Sequence, residues 1–130
     1  MKNDHVAFEV SNLEESIKFY QESLGLKLQF QNVDYENKEA FAFLELDGGN
    51  LELLQMLDNS SYEKPKIKPP FCPHIALTVS DMNRTLLLIK EKNIPIIKGP
   101  LEIKGKVKWL YIHDPDNNII EFVQWFSTKI

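Results

Sequence analysis

Apolar and polar residues alternate through "HVAFEV" (5–10), which places Val6, Phe8 and Val10 on one face of an extended segment and His5, Ala7 and Glu9 on the other. The rhythm then changes. Leu13, Ile17, Tyr20 and Leu24 recur at helical spacing behind Asn12, with Glu15 three residues on as a capping box, and Gly25 stops the run. Three extended stretches follow: "LKLQFQNV", "AFAFLEL" and "NLELLQML". The same succession then repeats. "HIALTV" precedes a helix that Asp81 caps and whose stripe is Met82, Leu86 and Ile89, ending before Pro95. After it come "PIIK", "KVKWLYI" and "NIIEFVQWF". Each half reads βαβββ.

The likeness extends to the residues themselves. "DHVAFEVSNLEES" matches "PHIALTVSDMNRT" at an offset of 69 (74 − 5), and "NLELLQML" falls on "IIEFVQWF" at the same offset, so that Glu52 meets Glu121 and Gln55 meets Gln124 without a gap. The chain is two copies of one module, expected at about 3–57 and 72–127 in a single domain 1–130, joined by a Ser-, Lys- and Pro-rich linker at about 58–71.

The repeat makes one polar outlier a question. Glu121 interrupts the apolar run "NNIIEFVQWF", and burying an ionised carboxylate without a partner costs several kcal/mol or more, so it either faces water or has something to compensate it. Alternation sets Glu52 on one face with Leu54 and Met56, and Glu121 with Val123 and Trp125. His5 and His74 occupy matching places on the opening strands. Each module could hold a structural His–Glu pair, or all four side chains could face solvent. The repeated spacing favours one shared reason: imidazole and carboxylate are ligands of first-row divalent cations, and nickel or zinc is the expected metal.

Composition narrows the class. With 130 residues, 43% hydrophobic and 26% charged side chains, the chain has an ordinary globular makeup. A net charge of −4 argues against a general nucleic-acid binder. No apolar run approaches a membrane span, and a cytoplasmic protein is expected. The single cysteine, Cys72, excludes an internal disulfide and reads as a small packed or exposed thiol. Lysines gather at 64–68 and 98–108, either as solvated loops or as a rim that attracts an anionic substrate.

"HVAFEVSNLEESIKFYQESLGLKL", "NLELLQ", "HIALTVSD" and "YIHDPDNNIIEFVQ" resemble the marks of the vicinal oxygen chelate superfamily, which includes glyoxalase I, methylmalonyl-CoA epimerase, extradiol dioxygenases and the fosfomycin and bleomycin resistance proteins. The resemblance covers nearly the whole chain. It implies an α+β fold in which two tandem βαβββ modules form an open eight-stranded cup, with a helix from each module outside. It implies that His5, Glu52, His74 and Glu121 ligate one divalent metal, a two-His, two-Glu set similar to that of glyoxalase I. It further implies a lyase or isomerase working through a metal-stabilised enediolate on a small carbonyl or thiol-adduct substrate, with Glu52 and Glu121 as the catalytic carboxylates. Glu9, Leu54, Met56, Thr78, Val123 and Trp125 are the expected pocket residues, and a homodimer is the expected assembly. Two departures bear on the substrate. Glu9 stands where glutathione-dependent members carry an Arg, and Met56 where they place an Asn. The alternatives are a non-catalytic drug-binding or antibiotic-binding protein and an acyl-thioester epimerase.

Overall fold

The computed structural model describes residues 1–126. The chain divides into two compact units, Met1–Pro65 and Lys66–Ile130. Residue 127, the last of the second predicted module, lies outside the described residues.

In the first unit the order is β1 (His5–Glu9), α1 (Leu13–Lys18), β2 (Leu28–Asp34), β3 (Glu39–Leu46) and β4 (Gly49–Met56). The sheet runs β1-β4-β3-β2, with β1 parallel to β4 and the other pairs antiparallel. In the second unit β5 (His74–Thr78), α2 (Met82–Glu91), β6 (Ile96–Ile103), β7 (Val107–His113) and β8 (Ile119–Trp125) give β5-β8-β7-β6 with the same directions. The fold class is α+β, two tandem βαβββ modules with one α-helix apiece, as the pattern predicts.

Each helix covers one face of its own sheet. Phe8, Val10, Leu51, Leu53, Ala42 and Leu44 meet Leu13, Ile17 and Tyr20 in the first core, and Leu110, Ile112, Ile120 and Phe122 meet Met82 and Ile89 in the second. A glutamine on each last strand fastens the helix. The side-chain oxygen of Gln55 accepts from Leu13 N–H at 2.7 Å, and that of Gln124 from Met82 N–H at 2.7 Å, filling one orphan donor of each helix start. The repeated glutamines are thus structural. Asn12 and Asp81 cap the helices as expected, accepting from Glu15 N–H and from Asn83 and Arg84 N–H.

Two elements differ from expectation. The first helix is not α-helical to Leu24: after Lys18 it widens into a π-helical turn, Phe19–Ser23, in which Tyr20 is completely buried, before Gly25 at φ 72° ends it. The strand expected at "PIIK" runs on to Ile103, through two register shifts around Gly99. Gly99 sits at φ 108° where an added Cβ would lie 2.9 Å from that of Leu110, so a glycine lets the strand pass close to its neighbour instead of ending it.

Candidate functional site

The face of each sheet away from its helix carries the polar outliers. Parallel pairing sets Ala7 opposite Glu52 and Ala76 opposite Glu121, which brings the histidine two residues earlier on the same face within reach of the carboxylate. His5 Nε2 lies 3.5 Å from Glu52 Oε1, and His74 Nε2 lies 3.0 Å from Glu121 Oε1. The glutamate side chains are only 14% and 16% exposed, so neither points freely into water.

The other ring nitrogen decides what these contacts are. His5 Nδ1 is 2.7 Å from Asp4 Oδ2, and His74 Nδ1 is 2.8 Å from the carbonyl oxygen of Phe71. A carboxylate and a carbonyl only accept, so Nδ1 carries the hydrogen in both rings, and a neutral imidazole turns the Nε2 lone pair toward the glutamate oxygen. Two lone pairs 3.0 Å apart repel. A proton or a cation between them reconciles the arrangement, and a tethered Nδ1–H with a free Nε2 is how metal-binding histidines are commonly oriented. The Asp4 hydrogen bond, together with the charges of Glu52 and Asp4, raises the His5 imidazole above its ordinary value against a lowering by desolvation.

Imidazole nitrogen and carboxylate oxygen are donors that suit a divalent first-row cation, and each module offers one of each. Among the described residues no group of three or more His, Cys, Asp or Glu side chains that could hold a metal ion converges.

Aromatic rings flank both pairs, and these the sequence reading missed. His5 meets Phe43 edge-on at 5.3 Å, and His74 meets Tyr111 at 5.5 Å with nearly the same angle. Phe43 stands in register with Glu52, and Tyr111 with Glu121. Phe30 stacks on Phe43 at 5.1 Å, and Phe71 packs on Tyr111 at 5.1 Å. Burial, and then the Glu121 charge, push the Tyr111 phenol up, against a hydrogen bond from Trp109 that lowers it. Cys72, exposed, places its sulfur 3.9 Å from His74 Nδ1.

Of the predicted pocket residues, Glu9 and Met56 line one surface pocket of about 360 Å³, together with Asp58, Asn59, Ser61, Tyr62 and Glu63. Three carboxylates and no basic side chain line it. Asp58 is held below the usual carboxyl range by the hydroxyl and N–H of Ser60. Elsewhere, Leu54 is half-buried on β4, Thr78 is exposed on β5, Val123 is buried on β8 and Trp125 half-buried beside it.

Duplicated βαβββ modules accord with what known proteins show. The sequence profile of the Glyoxalase/Bleomycin resistance protein/Dioxygenase superfamily matches residues 2–122. The chain belongs to that superfamily. It is 31% identical over 125 residues to a probable lactoylglutathione lyase of Vibrio cholerae, covering 92% of this chain and 88% of that one. It is also 31% identical over 128 residues to the lactoylglutathione lyase of Haemophilus influenzae, covering 96% and 93%. Among solved structures, the trypanothione-dependent glyoxalase I of Leishmania major superposes with a TM-score of 0.72 at 27% identity, over 92% of this chain and 84% of that one. Among the described residues no helix is long and apolar enough to cross a membrane.

Proposed function

We propose that this protein is a metal-dependent, glyoxalase-like lyase or isomerase that shifts a proton between adjacent carbons of a small carbonyl or thiol-adduct substrate. The observation that carries the reading is the recurrence, in both modules, of a histidine whose Nδ1 is tethered while its Nε2 faces a shielded glutamate. His5, Glu52, His74 and Glu121 would hold one divalent cation, nickel or zinc. When bound, the cation would supply Lewis acidity that acidifies a substrate C–H beside a carbonyl. One of Glu52 and Glu121 takes that proton as general base, and the other assists its return on the neighbouring carbon. Shielding of both carboxylates keeps bulk water from competing. Leu54, Met56, Thr78, Val123 and Trp125 would wall the substrate space with Glu9. The relatives named lactoylglutathione lyase support the reaction class.

Glutathione itself suits this chain poorly. Glu9, Asp58 and Glu63 would meet the peptide's carboxylates with like charge, and Met56 offers them no hydrogen bond. A neutral or amine-bearing thiol is the better fit. The protein works as a homodimer in this reading, because each four-stranded sheet has edge strands that a partner can cover, β1 and β2 in the first and β5 and β6 in the second, and Phe30 is half-exposed. Light scattering should return about twice 15.1 kDa, and a monomer mass at micromolar concentration would refute the assembly. The test of function is the rate of thioester formation from preformed methylglyoxal adducts of a thiol panel with nickel-loaded or zinc-loaded protein. Turnover of at least one adduct that disappears in Glu52→Gln or Glu121→Gln is expected. No turnover of any adduct would refute the reading.

A further inference from the structure

His5 and His74 are tethered at Nδ1 by acceptors of unlike kind. The carboxylate that serves His5 belongs to Asp4, a side chain almost fully exposed to water. His74 is held instead by the main-chain carbonyl of Phe71 at 2.8 Å, from a turn in which Phe71 lies at φ 64°, a conformation uncommon for any residue but glycine and an outlier for a bulky one. Something fastens the turn in that shape.

The Phe71 side chain is buried, and its ring packs on Tyr111 with centroids 5.1 Å apart, while the His74 ring meets the same Tyr111 ring at 5.5 Å. Donor and acceptor of the hydrogen bond thus rest against one aromatic ring. From the other side, Phe71 N–H donates to the Lys68 carbonyl at 2.9 Å. All of these groups belong to the second unit. A glycine would take φ 64° without strain but would bring no ring to seat the turn. Strained backbone persists where its surroundings over-determine it, and the buried ring supplies that here. The tether also has a competitor to overcome. Glu121 Oε1 lies 3.0 Å from Nε2, and a carboxylate is a stronger acceptor than a carbonyl, so without Phe71 the imidazole proton would sit on Nε2 and donate to Glu121. The Cys72 sulfur, 3.9 Å from Nδ1, is too distant to replace the carbonyl oxygen.

We propose that Phe71 is a positioning residue for His74: its ring, seated on Tyr111, holds the left-handed turn whose carbonyl keeps the neutral imidazole in its Nδ1–H form, with Nε2 unprotonated toward Glu121. Phe71 touches neither metal nor substrate. Its bearing on metal binding rests on the reading of His74 as a ligand, whereas the tautomer is a property of the metal-free protein.

Long-range proton–nitrogen NMR of the imidazoles, in alkaline buffer with chelator, reads that tautomer in wild type, Phe71→Gly, Phe71→Leu, Phe71→Tyr and Cys72→Ala. Wild type should show Nδ1–H at His74. Phe71→Gly, which suits the turn but lacks the ring, and Phe71→Leu, which keeps apolar bulk should the glycine variant fail to fold, should both shift the proton to Nε2. Phe71→Tyr, which keeps the ring, and Cys72→Ala should both match wild type. Nickel titrated into the chelator-free proteins should bind about tenfold more weakly to the Gly and Leu variants. A lowered Tm in those variants with the tautomer unmoved would make Phe71 plain packing and overturn the proposal, as would Nε2–H in wild type or a shift in Cys72→Ala. Wild type that binds no nickel but shows the expected tautomers overturns the metal centre and leaves the positioning role standing. Nickel-binding wild type with no tautomer change in the variants overturns the positioning role alone.

Discussion

Replacing Glu121 by Gln should stabilise the metal-free protein while destroying its response to metal. His74 Nδ1–H is committed to the Phe71 carbonyl at 2.8 Å, so that the neutral ring presents the Nε2 lone pair to Glu121 Oε1 at 3.0 Å. The glutamate is 16% exposed and the histidine 22%, so water relieves the repulsion only in part. A glutamine amide in the same place donates N–H to that lone pair. Exchanging a repulsive contact for an ordinary hydrogen bond is worth about 1 kcal/mol. For a chain of this size that raises Tm by about 3–5 °C. Metal reverses the order. A cation at about 100 times its Kd stabilises wild-type protein by about 2.7 kcal/mol, and the variant lacks one of the four proposed ligands. Differential scanning calorimetry at pH 8.5 in chelator, and again with excess nickel or zinc, reads both effects. A lower Tm for chelator-treated Glu121→Gln, or an equal rise with metal in both proteins, would refute the reasoning.

Glu9→Arg should raise kcat/KM for the glutathione–methylglyoxal adduct by about tenfold, since an exposed repulsion becomes an attraction of modest size, and a wild-type value already near about 10⁷ M⁻¹s⁻¹ with no gain would contradict the pocket argument. Gln55→Ala and Gln124→Ala should each cost about 1–3 kcal/mol in urea unfolding, because a helix-start N–H loses its acceptor, and a change below about 0.3 kcal/mol would show that water replaces the amide freely. The hydrogen bond to Asp4 raises the folded-state value of His5, so its contribution to the metal-free protein is fully present below pH 6.5 and is lost as pH rises through the raised value. The Tm advantage of wild type over Asp4→Asn should accordingly be larger just below about pH 6.5 than in alkaline buffer, where only the neutral ring's hydrogen bond to Asp4 remains, and a gap that grows with pH would reverse the sign of the argument.

What the sequence made legible follows from which relations are local. Alternation and helical spacing fixed β1, β5 and both helix starts, since faces and caps are set within a few residues. The 69-residue offset brought out His5 with His74 and Glu52 with Glu121 because those strands keep the same register in both modules. Phe43 and Tyr111 escaped the same comparison. They are 68 apart (111 − 43), as the connection before β8 shifts the antiparallel register by one residue, so aligning the halves sets Tyr111 against Ala42. Their closeness to histidine comes from cross-strand pairing that the sequence does not display. The acceptor for His74 was hidden for a related reason. Pro73 occupies the place of Asp4 and offers no carboxylate, so the Phe71 main-chain carbonyl takes that role, from a turn in which Phe71 lies at φ 64°. The continuation of β6 through Gly99 was concealed because glycine followed by proline reads as a break when the neighbouring strand is out of view.

The central claim is that two tethered His–Glu pairs hold a divalent cation, and its most direct test is elemental analysis of protein purified without chelators, beside His5→Ala and His74→Ala. The account predicts nickel or zinc bound to the wild type in fixed proportion to chains, and sharply reduced content in each variant. Wild-type protein that stays metal-free and gains neither Tm nor activity on adding metal, or metal retained undiminished in both variants, would contradict it.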